Sequence, residues 1–574
     1  MYAIYQNYKN EARQKASLIE NHDDRLDFAR AFCRAAIQSY WNSASYKINS
    51  SFSMMDCPLA IKPIQPNIQS LAATLGELIS KFPAEDAGFL IGSVYTAMLP
   101  SALRSKYGAY YTPPPLIARL LELAENNGVD FKSARIIDPA CGGGAFLAPI
   151  ALKVIESSPN VSPETIVNNI NDRIRGIELD PFAAWISHVL LEAVILPYCS
   201  ASNIRLKKVI QVGDALNIDQ TSKYDLIIGN PPYGKITLNS ELRKKYSRSL
   251  FGHANLYGLF VDLSLRIVES NGLIALITPT SFLGGQYFKK LRRLLTDNVS
   301  PCHFEFVKDR HGVFEDVQQE TIITIYKDSE HHRTLEITEL LPEGLNTFRV
   351  GAVGQGLIKS GDAPWVLPRD PADVAFLAQV LKNSNRFIDM GLHISTGPLV
   401  WNQHKKMLNH NKNGLPLIWA SHVTNSGFAY SSDAESHGDY VARIPNKHHL
   451  ITSRECILVK RTTSKEQSRR ILAAVLPDQF IIEAGGVYIE NHLNIIDCEN
   501  TPIVSFATVA ALLNSRIIDR IFRCINGSTA VSAYELNTLP LPDISHLKKL
   551  ERLIMEGTEG EPLERAIEEA YGFY

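Results

Sequence analysis

The sequence predicts an α/β fold: a doubly wound, mostly parallel sheet, preceded by a helical region and followed by an α+β domain of short strands. Three observations predict it. Short apolar runs at 134–137, 173–179, 209–212 and 224–228 alternate with stretches of helical spacing, as strands alternate with helices in a parallel sheet. Each run closes on glycine, proline or an acid, so the chemically loaded residues fall at the carboxyl ends of strands, where open α/β sheets bind ligands. Beyond about residue 350 this alternation gives way to short runs and polar turns.

Length and composition set the bounds. At 574 residues the chain exceeds one ordinary domain. Its 45% hydrophobic and 21% charged content is that of a globular protein. No run has the roughly 18 consecutive apolar residues of a membrane span, and the first residues, MYAIYQNYKNEARQK, lack a signal-peptide core. The expected location is the cytoplasm, with no membrane partner. The eight cysteines form no CxxC pair, which argues against zinc sites and disulfide frameworks, so no metal is expected. A net charge of -2 excludes a generic polycation. Residues 401–470, however, carry 11 lysines and arginines against 5 acidic residues, a local excess of +6 suited to a polyanion.

In chain order, residues 1–100 show helical spacing, as at Leu71, Leu75, Leu78 and Ile79, and no Glu-x-Lys or Asp-x-Lys pair of a metal-dependent nuclease. Next, GAYYTPPP leads into a helix expected to start near Pro114, where a missing N–H costs nothing. In SARIIDPACGGGAFLAPI a strand ends at Asp138, three glycines (142–144) make a tight turn, and a helix is expected from Ala145. Such a turn lets a ligand approach the backbone at a helix N-terminus. It is neither G-x-G-x-x-G nor a P-loop, so a phosphate is not the obvious guest. The second strand ends in Glu178 and Asp180, placed for ribose hydroxyls. The third ends at Gly213 and Asp214, where a carboxylate can accept from an amine.

The fourth strand runs into Asn230, Pro231, Pro232 and Tyr233. Two prolines stiffen this corner and remove two donors. It therefore offers the Asn230 amide oxygen, the Pro231 carbonyl and the Tyr233 ring, which suit an exocyclic amine on a base. Arg243, Lys244, Lys245 and Arg248 make a basic loop after it. A helix is expected over 255–268, and strands over 272–280, 304–307 and 321–326, the last two bracketing Phe314.

The ordered set GAYYTPPP, DPACGGGAFL, GIELDP, GDAL, NPPY and GLIALITPTSFL resembles the S-adenosylmethionine-dependent DNA amino-methyltransferases of the N6-adenine kind, in the gamma group typical of restriction-modification systems. One departure is Gly143, where the family often has Ser. The resemblance implies a methyltransferase sheet over 101–345, an N-terminal helical region over 1–100 and a DNA target-recognition domain over 346–574. It implies that Thr112, Pro113, Asp138, Ala140, Gly142, Gly144, Glu178, Asp214 and Asn230 hold S-adenosylmethionine. Catalysis would fall to Asn230, Pro231, Pro232 and Tyr233, with Tyr233 and Phe314 stacking on a flipped adenine. Lys460, Arg461, Lys465, Arg469 and Arg470 are suited to phosphates. The expected partner is double-stranded DNA, the expected state a monomer, with a cognate restriction endonuclease encoded separately. NPPY also occurs in enzymes that methylate protein glutamines or RNA bases, and the long, locally basic C-terminal region favours DNA.

Overall fold

A computed structural model describes residues 1–107, 112–218, 221–307, 320–327, 334–341, 347–354, 358, 361–383, 385–410, 412–431, 438–463, 467–525 and 530–573, apart from the side chains of 105–107. The expected stacking residue Phe314 and the basic residue Lys465 lie outside the described residues. Two compact units account for the chain: residues 1–279 with 293–355, and residues 280–292 with 356–574.

The first unit holds helices α1 (Tyr2–Ser17), α2 (His22–Lys47), α3 (Pro66–Ile79), α4 (Ala87–Met98), α5 (Ser101–Tyr107), α6 (Pro114–Asn126), α7 (Leu147–Glu156), α8 (Pro163–Arg173), α9 (Pro181–Ser202), α10 (Ser240–Lys245) and α11 (Leu256–Ile267). Its strands are β1 (Ile136–Asp138), β2 (Ile174–Glu178), β3 (Ile210–Val212), β4 (Tyr224–Gly229), the hairpin pair β5 (Lys235–Ile236) and β6 (Ala254–Asn255), β7 (Val268–Pro279), β8 (Ser300–Val307), β9 (Thr321–Lys327), β10 (Thr334–Leu340) and β11 (Thr347–Gly354). Nine of them form one sheet in the order β11-β10-β8-β9-β7-β4-β1-β2-β3.

Pairing is parallel from β3 through β7, and β9 enters antiparallel between β7 and β8. β1 and the apolar part of β4 are buried throughout. Strands covered on both faces read as unbroken apolar runs, which is why their sequence signal is strong. From β1 the chain first winds toward β3 and then crosses to β4 on the other side. The crevice where the order reverses therefore opens between the ends of β1 and β4.

Helix α9 is apolar on all sides and, by length and composition, could cross a membrane, yet 89% of its apolar window is buried in the protein. Two cores explain this. Ala184, Leu191, Val194 and Ile195 face the sheet-side core, while Phe182, Trp185, Ile186, Val189 and Leu190 join Phe32, Ile37, Leu75, Leu90 and Tyr95 of α2 to α4. A helix buried all round needs no polar stripe. The N-terminal helices thus share a core with the sheet unit, where the sequence suggested a region of its own. α2 and α3 pack closely at Gly76, where a Cβ would lie 2.0 Å from the Ala36 carbonyl oxygen.

Three local features depart from expectation. The regular helix after the glycine turn starts at Leu147, two residues beyond Ala145. β10 and β11 extend the sheet past Tyr326, and β11 is a largely exposed edge strand with a weak apolar signal. The segment 280–292, which completes the run GLIALITPTSFL, belongs to the second unit. There Arg292, fully buried, donates to the carbonyls of Phe282, Gly285, Asp362 and Ala363 and to the Tyr534 hydroxyl at 2.7 to 2.9 Å. A buried guanidinium holds its charge only when its donors are met, and these acceptors meet them.

In the second unit, an antiparallel sheet of Leu392–Thr396, Leu493–Cys498, Cys456–Lys460 and Ala473–Leu476 packs on helices Phe506–Leu513, Arg516–Ile525 and Ile544–Met555. Short strands beside it form a smaller sheet of five, giving an α+β unit.

Candidate active site

A cleft open to solvent lies at the carboxyl ends of β1, β2, β3 and β4. Thr112, Ala140, Gly142, Glu178, Asp214, Asn230 and Pro232 all line it, so five separate sequence motifs meet in one place. Pro113, Gly144, Pro231 and Tyr233 lie outside its lining. Asp138 stands behind it, 1% exposed, beneath the lining residues Pro139 and Ala140. Gly144 has φ +85°, and a Cβ there would lie 2.7 Å from Ser187 Oγ, so only glycine lets the turn rest against α9.

Two buried acids anchor the cleft. Glu178 accepts from the Gly142 N–H and the Asp180 N–H, both at 2.9 Å, tying the glycine turn to the end of β2. Asp138 Oδ1 accepts from the Ala140 N–H at 3.0 Å, whereas its buried Oδ2 has no hydrogen-bond partner among the described residues. Gly229 approaches so closely that a Cβ would lie 2.6 Å from Asp138 Oδ1. Burial raises both carboxyls to about 7, and the neighbouring Glu178 charge adds to the rise at Asp138. Asp214 caps the turn after β3 through Leu216 N–H at 3.0 Å and Asn217 Nδ2 at 2.8 Å. Each of its oxygens keeps a further acceptor position, and the residue lines the cleft.

At the end of β4, Asn230 Nδ2 donates to Thr112 Oγ1 at 3.1 Å, and the Tyr233 hydroxyl donates to Asn230 Oδ1 at 2.7 Å. The carboxamide is thus held from both ends. Burial raises the Tyr233 phenol, keeping it protonated as that donor. The Tyr233 ring meets Tyr257 edge-on, with centroids 6.2 Å apart. Leu242, Leu256 and Phe260, from the segment after NPPY, close one side of the cleft.

Sequence reasoning missed Tyr95 and Leu99, which line the cleft together with Asp180. Asp180 was legible as an acid beside Glu178, but Tyr95 comes from α4, far away in the chain. Among the basic residues expected to meet phosphate, Arg470 requires correction. It is 2% exposed, its Nε donates to Thr463 Oγ1, and its guanidinium lies over the Phe522 ring, so it is a core residue. Its neighbours in the chain gave no sign of this, because a basic run reads the same on a surface or folded over a ring. Arg469 pairs with Glu564 at 3.8 Å, and Arg461 donates to the Asn491 carbonyl, leaving Lys460 and Arg461 half-buried.

Residues 166–314, which include the β4 corner, match the family described as Eco57I restriction-modification methylase. The likeness to a restriction-modification methylase thus falls on the part of the chain that holds the second, third and fourth strands of the cleft. The chain is similar to the Type II methyltransferase M.BsuBI of Bacillus subtilis, 24% identical over 484 residues covering 79% of this chain and 91% of that one. It is also similar to the Type II methyltransferase M.PstI of Providencia stuartii, 27% identical over 57% of this chain and 67% of that one. Among solved structures, the Type IIL restriction-modification enzyme MmeI in complex with DNA has the same fold, with TM-score 0.62 and 14% identity over 99% of this chain and 96% of that one.

The buried acids make the stability of the protein depend on pH. Asp138 and Glu178 titrate near 7 when folded, against ordinary values of 3.8 and 4.5. A carboxyl raised by folding adds stability below its unfolded value and loses it as pH rises through its folded value. Thermal unfolding of the ligand-free protein should therefore show a midpoint that falls as pH rises from about 5 to about 8. Asp138→Asn, neutral at every pH, should flatten that slope, and an equal slope in the variant would refute the assignment.

Proposed function

We propose that this methylase transfers a methyl group from S-adenosylmethionine to N6 of a flipped adenine in duplex DNA, at a specific site, as the modification enzyme of a restriction-modification system. The observation that carries this reading is that Asn230 opens onto the same cleft as Glu178, Asp214 and the glycine turn. The two halves of a transfer reaction then meet at one wall.

The cleft's donors and acceptors fit the cofactor. Glu178 would take the ribose hydroxyls, Asp214 the adenine amine, and Asp138 Oδ2, without a partner among the described residues, would suit an ammonium group. Gly142 offers backbone at close range, and Thr112 borders the methyl end. When bound, the cofactor supplies a methyl group on a cationic sulfur, a strong electrophile. The chain's own residues then have to prepare the nucleophile.

An adenine N6 lone pair is delocalised into the ring. Hydrogen bonds from its two hydrogens to Asn230 Oδ1 and the Pro231 carbonyl would draw the nitrogen toward tetrahedral geometry and localise that pair. Tyr233 would supply the ring for stacking, an interaction worth about 1–3 kcal/mol toward the cost of unstacking the base. The hold on Asn230 from Thr112 and Tyr233 supports positioning as the main source of rate.

Lys460 and Arg461 would meet phosphates. Replacing both by alanine should weaken duplex binding and reduce its salt slope by about one unit for each phosphate no longer neutralised, and an unaltered slope would remove them from the interface. The eight free cysteines are in keeping with a reducing, cytoplasmic setting.

The deciding experiment incubates the methylase with duplex DNA and methyl-labelled cofactor, then digests the DNA to nucleosides. Label in N6-methyladenine supports the reading. Label in cytosine, RNA or protein glutamine, with none in adenine, overturns it.

A further inference from the structure

We propose that the N-terminal helices are a working wall of the cofactor site, with Tyr95 and Arg30 as positioning residues that hold the Asp180–Glu178 corner in its binding geometry. The inference rests on the reading of the cleft as the S-adenosylmethionine site.

The corner is built in series. Asp180, 1% exposed, uses Oδ1 to cap α9 at the Phe182 N–H (3.0 Å) and to face Arg30 Nη2 at 3.6 Å. Its Oδ2 accepts from the Tyr95 hydroxyl at 2.7 Å. Its backbone N–H donates to Glu178 Oε1, and Glu178 Oε2 takes the Gly142 N–H. A line of hydrogen bonds therefore runs from α4, through the acid at the start of α9, to the carboxylate assigned to the ribose and on to the glycine turn.

Tyr95 and Leu99 line the cleft themselves. α4 also presses on the turn from behind, since a Cβ at Gly88 would lie 3.0 Å from the Gly144 backbone. A purely structural bundle needs no buried phenol aimed at an acid in the cleft, and the apolar faces of α2, α3 and α4 already supply the packing. Removing the hydroxyl leaves Asp180 Oδ2 buried without its donor, and relief comes by rotating the acid out of the corner.

The test compares the full-length methylase with Tyr95→Phe and Arg30→Gln, measuring binding of S-adenosylhomocysteine by calorimetry and steady-state methylation of duplex DNA. Tyr95→Phe keeps the ring and its packing. Its dissociation constant and its KM for the cofactor should rise about 10-fold, the weight of one hydrogen bond to a charged group. KM for DNA should hold, and kcat at saturating cofactor should change far less than KM. Arg30→Gln should act in the same direction with a smaller rise. If the parent protein binds and Tyr95→Phe, folded by circular dichroism, binds as tightly, the inference is overturned while the reading of the cleft stands. If the parent protein does not bind, that reading falls and the inference with it.

Discussion

Asn230→Ala is expected to lower kcat for methyl transfer by about 10²- to 10³-fold, the scale seen when one preorganised polar group is removed from a reacting centre. The variant should still bind S-adenosylmethionine, because Glu178, Asp214 and Asp138 are untouched. Two bonds vanish with the side chain: the acceptor that Tyr233 holds at 2.7 Å and the donor that reaches Thr112 at 3.1 Å. Asn230→Asp is the sharper companion. It keeps an acceptor for the Tyr233 hydroxyl but offers Thr112 Oγ1 an oxygen in place of an N–H. Single-turnover kinetics with cofactor in excess separates chemistry from binding. An unchanged rate in Asn230→Ala would remove this residue from the reaction, and a failure to bind cofactor would place its main role in holding the cofactor.

Gly229→Ala is expected to abolish measurable cofactor binding and to destabilise the fold by about 1–3 kcal/mol, the usual cost of overpacking a filled core. The added Cβ would fall 2.6 Å from Asp138 Oδ1 and 3.1 Å from its Cγ, well inside van der Waals contact. Asp138 has nowhere to retreat, being buried and tied through Oδ1 to the Ala140 N–H. β4 or the β1 corner must shift, and the cleft opens between them. Urea unfolding and calorimetry with S-adenosylhomocysteine report the two effects separately. Binding at the parent affinity would show that the crevice tolerates a methyl group and that Asp138 is not held as described.

Much of this architecture was legible because its strands are buried on both faces. The runs at 134–137 and 224–228 need no alternation to be read as strands, and Pro, Gly and Asp mark where each stops. That alone places Asp138, Glu178, Asp214 and Asn230 at strand ends. Edge strand β11 was less legible, since a half-exposed strand carries a weak apolar pattern. Arg470 misled for a related reason: charge in a sequence says nothing of the ring it will cover. Tyr95 was silent because its partner Asp180 lies 85 residues away. Only packing brings them together.

By itself, the sequence determined which chemical groups end each strand and in what order they come, because apolar patterning and stiff turn residues act over a few positions and need no distant partner. The tertiary structure alone decided how those groups are held. The orientation of the Asn230 amide by Thr112 and Tyr233, the near-neutral titration of Asp138 and Glu178, and the reach of α4 into the cleft each depend on desolvation and contact between distant segments, which exist only once the core has closed.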